Sequence, residues 1–180
     1  MFHSFEAAGL WDATQRESNL LDGGAFFYDV YECADGEYIS IGSIESQFYA
    51  LLREKAELAE DDFAEQNNPA LWPQQKQKIA AIFLQKTQAQ WCELMEGSDV
   101  CFAPVLNLLD AAKHPANVAR NTYIEVDGVT QPAPAPRFSR TPSQVLNSGS
   151  GLGADTHSVL ADMGFAEQEL DALRQGGAIV

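Results

Sequence analysis

The stretch EYISIGSIESQFYALL, residues 37–52, predicts a β-strand that runs directly into an α-helix. The strand-forming residues are Tyr38, Ile39 and Ile41. The helix that follows has an apolar face formed at helical spacing by Phe48, Leu51 and Leu52. An acidic residue, Glu45, lies at the junction of the two elements. The position of this carboxylate raises the question of whether it serves the helix end or a chemical site.

Upstream of this junction, LLDGGAFFYDVYECADGE, residues 20–37, predicts the first strand of a hairpin. Asp35-Gly36 suits the tight turn between the two strands. Two successive glycines, Gly23 and Gly24, precede the first strand. The spacing alone leaves two interpretations open, a sharp turn at the strand entry or a close approach of the backbone to another group.

Downstream, residues 57–69 predict an acidic loop, and residues 71–86 predict a helix with Pro73 near its first turn. A capping box, Thr87 with Gln90, opens the next helix, which Gly97 ends. Further predicted elements are a short buried strand in DVCFAPV, 99–105, a short helix in NLLDAAKHP, 107–115, and a hairpin around Asp127-Gly128.

The composition divides the chain into four predicted segments. Residues 1–19 form an interdomain segment, and residues 20–131 form a small α+β domain with a small sheet and packed helices. Residues 132–153, rich in Pro, Ser and Gly, form an extended connector. Residues 154–180 form a helical pair with Thr156 as cap, Gly164 as stop and Gly176 at the end of the second helix.

The net charge, the hydrophobic pattern and the cysteine spacing argue against several classes of protein. A net charge of −15 and a pI of about 4.3 argue against nucleic-acid binding, which needs clustered Lys and Arg. No apolar run reaches the length of a membrane span, and the N-terminus lacks a secretory pattern. Three widely spaced cysteines, Cys33, Cys92 and Cys101, are expected to be reduced core residues of a cytoplasmic protein.

Two other patterns carry little functional information. His3, His114 and His157 are scattered, so no metal site is predicted. GSGLGAD, residues 149–155, precedes a helix, but a polar segment rather than a hydrophobic strand leads into it. A flexible linker therefore explains this glycine-rich segment better than a phosphate-binding loop.

On local physics alone, Glu45 is best explained as a charge at a helix N-terminus. A carboxylate there is worth about 0.3–1 kcal/mol through the helix dipole, and Ser46 is expected to be the cap.

A set of motifs changes this interpretation. Leu-Asp-Gly-Gly-Ala, Ala-Asp-Gly-Glu, Gly-x-Ile-Glu-x-Gln-Phe-Tyr and Gln-Trp-Cys occur in that order between residues 21 and 92. Together with the tail GADTHSVLADMGFAEQELDALRQGGAI, they resemble the C-terminal half of the alpha-methylacyl-CoA racemases, which belong to the family III CoA-transferases. The resemblance runs from Asn19 to Ile179.

The resemblance implies part of an enzyme, with the small-domain half of the family III fold. Such racemases are interlocked homodimers whose active site forms between the large domain of one chain and the small domain of the other. The α-proton of a 2-methylacyl-CoA is removed to give an enolate and returned on the opposite face. The His and Asp bases belong to the large domain, and no segment here matches them. The implied partner is therefore a second copy or a complementing N-terminal half. No cofactor is implied, since the substrate carries the coenzyme A.

The same resemblance assigns residues to the site. Glu45 corresponds to the glutamate that hydrogen-bonds the catalytic histidine. The expected acyl-chain surface contains Leu21, Tyr28 and Ile44, with Gly23 and Gly24 letting the backbone pass close to it. The chain departs from the family at two positions, with Phe26 and Ser46 where proline is usual.

Two alternatives stay open at this point. The chain could be a fragment of a family III CoA-transferase, whose nucleophilic aspartate would also lie outside it. It could also be a non-catalytic interaction module that has kept the small-domain fold and binds through an exposed apolar patch.

Overall fold

The structure is a computed structural model that describes residues 1–145 and 149–180. The chain divides into two compact units, residues 1–107 and residues 108–180. This boundary falls inside the segment 20–131 that the sequence assigns to one domain. The four predicted segments stay a prediction, and residues 146–148 of the expected connector lie outside the described residues.

The first unit combines a three-stranded sheet with helices, as the predicted α+β class requires. Its elements in chain order are α1 Phe2–Ala7, β1 Tyr28–Glu32, β2 Tyr38–Gly42, α2 Ser46–Lys55, α3 Glu60–Phe63, α4 Trp72–Phe83, α5 Gln88–Met95 and β3 Phe102–Val105. The short helix α3 lies in the segment predicted to be an acidic loop. Its four residues are too few for a periodic apolar pattern, which is why the sequence did not indicate it.

The sheet has the order β1-β2-β3 and is antiparallel throughout. The predicted hairpin is confirmed, with Tyr28 opposite Gly42 and Glu32 opposite Tyr38. Gly36, with a φ of +79°, supplies the left-handed residue of its turn.

The strand β3 lies where the sequence predicts it, but the prediction that it is buried is wrong. It is an edge strand whose residues are alternately half-buried and exposed, and Val105 is 40% exposed. One face of the sheet is therefore open, since side chains of a strand alternate between its two faces.

An aromatic cluster forms the core on the other face of the sheet. Phe26 and Phe27 meet edge to face at 5.2 Å between ring centroids, and both contact Tyr49 of α2. The most buried positions of α2 are Tyr49 and Leu52, while the predicted Phe48 and Leu51 are half-buried. The phenol of Tyr49 donates a hydrogen bond to Phe63 O at 2.6 Å, which lets this polar ring enter the core.

Three predicted helix-end features are present in this unit. Pro73 lies in the first turn of α4, where its missing N–H costs no helical hydrogen bond. The capping box of α5 is present in both directions between Thr87 and Gln90, and Gly97 has the left-handed φ of +75° that the predicted stop requires.

The second unit contains short helices, one hairpin and a helical pair. Its elements are α6 Leu108–Ala111, α7 Pro115–Ala119, β4 Tyr123–Val126, β5 Val129–Pro132, α8 Thr156–Asp162 and α9 Glu167–Gln175. The hairpin turns at Asp127 and Gly128, which both have positive φ, as predicted. The helix α7 was not predicted, because Pro115 was interpreted only as the end of the preceding helix.

The helical pair is confirmed, but the prediction of Thr156 as cap is wrong. Asp155 occupies the N-cap of α8 and Thr156 is the first helical residue. The second helix ends at Gly176, as predicted, and Gly177 is the residue with left-handed φ. In residues 133–145 and 149–153 the structure contains no helix or strand, which agrees with an extended connector.

All three cysteines are free, as expected, but only Cys33 belongs to the core. Cys92 is half-buried and Cys101 is exposed, so the prediction that all three are core residues is wrong. Of the helices in the described residues, none combines the length and apolarity needed to cross a membrane.

Candidate functional site

Glu45 lies at the N-cap of α2, three residues after β2 ends at Gly42. Its backbone is extended, with φ −71° and ψ 145°, and Ser46 begins the helix. Ser46 is therefore not the cap, and that prediction is wrong. The Glu45 side chain is exposed and makes no capping hydrogen bond. Its negative charge lies at the positive end of the helix, and its oxygens are open to a group outside this unit.

The turn that carries Glu45 is anchored to the core by the residue two positions earlier. Ser43 is fully buried, its hydroxyl donates to Val100 O at 2.6 Å, and its N–H donates to Phe27 O at 3.0 Å. A residue distant in sequence also contacts this turn, since the Gln66 side-chain amide donates to Ser43 O and Ile44 O. Sequence reasoning missed Gln66, because a glutamine within the polar run AEQNN gives no local signal.

An open cleft of about 500 Å³ lies on the uncovered face of the sheet. The residues that line it include Gly23, Tyr28, Val30, Ser40, Gly42 and Cys101. A Cβ placed on Gly42 would come within 3.6 Å of the Tyr28 ring, so this ring covers the neighbouring strand at that point. The aromatic and aliphatic part of this lining suits an apolar ligand, and the carboxylates of Asp22 and Asp29 also line the cleft.

Cys101 connects this cleft to Glu45. It lines the cleft, and its backbone carbonyl accepts a hydrogen bond from Gly42 N at 2.8 Å. Partial desolvation of the sulfur, followed by the negative charges of Glu45 and Asp99, raises the pKa of the Cys101 thiol above its usual value. The Glu45 carboxylate is thus electrostatically coupled to one end of the cleft.

The predicted acyl-surface residues do not all line this cleft. Tyr28 and Gly23 do, whereas Leu21, Gly24 and Ile44 are half-buried outside it. Ile44 packs against the hydrophobic core. Contact of these five residues with an acyl chain stays a prediction, as does the role of Glu45.

Gly23 and Gly24 are each required by a different feature of the local backbone. Gly23 has a φ of +90°, which L-residues rarely adopt, so it makes the sharp turn. A Cβ on Gly24 would lie 2.6 Å from both N and O of Asn19, so the close backbone approach there is to the chain itself. Each of the two interpretations left open by the sequence therefore applies to one glycine.

A lysine from α4 holds the glycine turn. Lys76 Nζ lies 2.7 Å from Gly23 O and 2.5 Å from Asp29 Oδ2, with Glu17 further away at 3.9 Å. The Lys76 and Asp29 side chains are 30% and 19% exposed. Sequence reasoning missed this pair, because its members are separated by 47 residues (76 minus 29) and belong to no local motif.

The three histidines of the chain form their own local contacts, away from the cleft. His114 accepts a hydrogen bond from Ala116 N, His157 pairs with Glu167 at 2.9 Å, and His3 lies 3.7 Å from Glu6. None of the three lines the cleft. Across residues 1–145 and 149–180, no group of three or more His, Cys, Asp or Glu side chains is arranged to hold a metal ion.

Comparison with protein families matches residues 3–156 to the model for CoA-transferase family III. The chain is 41% identical to the alpha-methylacyl-CoA racemase of Mus musculus over 165 residues, 90% of this chain and 43% of that protein. It is 37% identical to the alpha-methylacyl-CoA racemase of Homo sapiens over 163 residues, 89% of this chain and 42% of that protein. The chain thus spans less than half the length of these curated relatives.

Solved structures agree on the fold. A CaiB/BaiF family protein from Brucella suis superposes with a TM-score of 0.61 at 17% identity, covering 89% of this chain and 43% of that one. The Rv3272 protein from Mycobacterium tuberculosis gives a TM-score of 0.56 at 19% identity, covering 67% of this chain and 34% of that one. At these identities the likeness concerns the fold alone, and it supports the small-domain α+β architecture.

Proposed function

Because the chain belongs to CoA-transferase family III, we propose that it supplies the small-domain part of a 2-methylacyl-CoA racemase. The observation that carries the proposal is the 41% identity to a racemase over 90% of the chain. The motif containing Glu45 lies within the matched family residues 3–156. The reaction would invert the configuration at the α-carbon of an acyl-CoA thioester.

In the proposed reaction, one base removes the α-proton to give an enolate, and a second group returns a proton to the opposite face. Both bases, a histidine and an aspartate, would come from a large domain outside these 180 residues. Glu45 would accept a hydrogen bond from that histidine. Such a contact fixes the imidazole tautomer and stabilises its protonated form, both of which a histidine base needs.

Glu45 has the properties that this role requires. It is exposed, and it makes no capping hydrogen bond within its own helix. The adjoining cleft, with Tyr28 and Val30 on its floor, would receive the acyl chain. The net charge of −15 disfavours the CoA phosphates, so the large domain would bind them. The proposed reaction needs no further cofactor. The proposed partner is a second copy of the chain or a complementing N-terminal half. The proposed location is the cytoplasm.

The proposal is tested by α-proton exchange of a 2-methylacyl-CoA in deuterated water, followed by mass spectrometry. We expect no exchange with this chain alone and exchange when the N-terminal half of an alpha-methylacyl-CoA racemase is added. Exchange by this chain alone would contradict the proposed division of the active site. Absence of exchange in the mixture, with the chain folded, would favour a non-catalytic binding module.

In the active mixture, Glu45→Gln should slow exchange by roughly 10²-fold, because a histidine base loses the partner that orients it. The matched control is Glu54→Gln, an exposed glutamate on the same helix. Equal rates for the two variants would reduce Glu45 to a helix-terminus charge.

A CoA-transferase activity is the second candidate. The matching family model is named CoA-transferase family III. The chain is also 26% identical to an acyl-CoA transferase of Fusarium pseudograminearum, over 84% of this chain and 36% of that protein. Transfer proceeds through an aspartate nucleophile rather than through α-proton removal. Transfer of CoA from the acyl-CoA to a second carboxylate, with release of the first as a free acid and without deuterium incorporation, would therefore favour this candidate.

A further inference from the structure

We infer that Gln66 is a positioning residue for Glu45: its buried amide fixes the turn between β2 and α2 and thereby sets where the carboxylate stands. The consequence for catalysis rests on the proposed function of Glu45. The positioning itself is a property of this chain and can be measured without any enzymatic activity.

The contacts of Gln66 are made to the two residues that precede Glu45. Its Nε2 donates to Ser43 O at 3.0 Å and to Ile44 O at 2.9 Å. A side-chain amide has two N–H donors, and here both are used. Because both partners are carbonyl oxygens, the amide nitrogen, not its oxygen, faces the turn. The residue is only 7% exposed, so little of it is accessible to solvent.

These hydrogen bonds replace ones that regular structure cannot supply. β2 ends at Gly42 and α2 begins at Ser46, so the carbonyls of Ser43 and Ile44 belong neither to the sheet ladder nor to the helix. A carbonyl buried there without a donor would destabilise this turn. Gln66 satisfies two such groups from a segment more than twenty residues later in the chain.

Gln66 is itself held in place by the core. The indole Nε1 of Trp72 donates to Gln66 O at 2.8 Å. The Trp72 ring meets Phe27 edge to face at 5.9 Å, and Phe27 O accepts the Ser43 N–H. The contacts therefore form a closed circuit that runs from the turn through Gln66 and Trp72 to Phe27, the residue before β1, and back to the turn.

This circuit matters because the Glu45 side chain lacks a capping hydrogen bond of its own. The backbone of Glu45 is tied to the helix, since its carbonyl accepts from Tyr49 N at 2.9 Å. The position of the Glu45 Cα, from which the carboxylate extends, then depends on the two residues before it. Gln66 binds the carbonyl groups of both residues.

The Cys101 thiol provides a reporter of the carboxylate position. It is exposed, and the charge of Glu45 contributes to its raised pKa. The midpoint of the pH profile for alkylation of Cys101 by iodoacetamide measures this pKa. Peptide-resolved mass spectrometry separates Cys101 from the other two cysteines. A change in accessibility alters the plateau of the profile and, through desolvation, its midpoint as well. Loss of nearby charge is therefore identified by a midpoint that falls while the plateau stays the same.

The main variant is Gln66→Met, which keeps the side-chain length and removes both donors. Its matched control is Gln75→Met, since Gln75 is also buried, at 3% exposed, and donates to Asp62 O rather than to the turn. We expect Gln66→Met and Glu45→Gln each to lower the Cys101 midpoint, which raises the thiolate fraction at pH 8 about two-fold. Gln75→Met should leave it unchanged. In the Glu45→Gln background, Gln66→Met should add no further change.

A Cys101 midpoint that is the same in Gln66→Met and the wild type, while Glu45→Gln lowers it, would overturn the inference. Should Gln66→Met fail to fold, Gln66→Asn takes its place, because it keeps the amide and shortens its reach by one methylene group.

Hydrogen exchange provides an independent measurement. The amides of Ile44 and Tyr49, which bond Gly42 O and Glu45 O, should exchange about ten-fold faster in Gln66→Met than in Gln75→Met, because the turn opens locally. Equal exchange in the two variants would refute positioning by Gln66, whatever Cys101 reports.

Kinetic measurements on the mixture of this chain with the N-terminal half test the positioning role of Gln66 separately from the proposed function of Glu45. There, Gln66→Met should lower kcat towards the value of Glu45→Gln with KM little changed. If Cys101 and the amides respond in the chain alone while proton exchange does not, the positioning stands and the catalytic role of Glu45 fails.

Discussion

At the scale of single residues, the glycine pair separates what a sequence pattern can predict from what it cannot. Two successive glycines indicate a constrained backbone, but the neighbour that constrains it is set by the fold. Gly24 lies against the backbone of Ser18 and Asn19, and Asn19 is itself fixed by hydrogen bonds to Asp12 and Asp22. No local signal in the sequence identifies Asn19 as the group approached.

The close approach at Gly24 predicts a loss of stability on addition of a single methyl group. Gly24→Ala should lower the free energy of unfolding by about 1–3 kcal/mol, because the added Cβ would overlap backbone atoms that cannot rotate away. Urea denaturation measures the change. Gly151→Ala is the control, since a Cβ there meets nothing within 4 Å. Equal stability of the two variants would mean that the 18–24 loop relaxes freely.

At the scale of elements, the sequence predicts those whose signals are local. The hairpin at Asp35-Gly36, the capping box of α5 and the proline-started helix α4 each depend on residues within one or two turns, and all three are confirmed. The burial of β3 depends on which strands lie beside it and on what covers its outer face. A short apolar segment carries no such information, so its exposure could not be predicted.

The same distinction applies to the candidate site. The position of Glu45 at a strand–helix junction follows from local patterning and is confirmed. Its dependence on Gln66, and the tie between Lys76 and the glycine turn, require contacts between distant segments. Only the folded chain reveals these contacts.

The link between α4 and the entry of β1 gives an element-scale prediction. Lys76→Met should lower the free energy of unfolding by about 1.5–3 kcal/mol, because Gly23 O and the largely buried Asp29 carboxylate both lose a charged donor. Lys78→Met is the matched control on the same helix. Its partner Asp62 is 41% exposed, so removal of that ion pair should cost about 0–1 kcal/mol.

Urea denaturation at low and high salt distinguishes the two lysines. The effect of Lys76→Met should persist in high salt, since buried pairs are screened less than exposed ones. Loss of the difference between the two variants at high salt would contradict a structural role for Lys76.

At the scale of the whole molecule, two observations support the proposal that this chain and a separate large domain supply different parts of one active site. The chain spans 43% of the mouse racemase, and it carries a net charge of −15. An acidic polypeptide with an uncovered sheet face and an exposed carboxylate is suited to complete a site, not to bind the phosphate-rich CoA part of a substrate by itself. The proposed small-domain role accounts for all three properties together.

The alkaline stability of the whole fold provides the last prediction. Burial raises the pKa of the Tyr31 phenol, whose hydroxyl donates to Phe26 O at 2.6 Å, and burial raises the pKa of Cys33 to about 11. Both groups are neutral when protonated, so the fold favours the protonated forms. Their contribution to stability is complete below the pKa of the unfolded groups and is lost as the pH rises through the folded values.

The free energy of unfolding should therefore fall between about pH 9 and pH 11, as the unfolded chain ionises first. Urea denaturation across this range measures the fall. Cys33→Ala removes one of the two groups and should make the decline shallower, even though the variant is less stable at pH 7. A decline of unchanged steepness would show that Cys33 is not protected from ionisation in the folded state, and that the core beside β1 admits water.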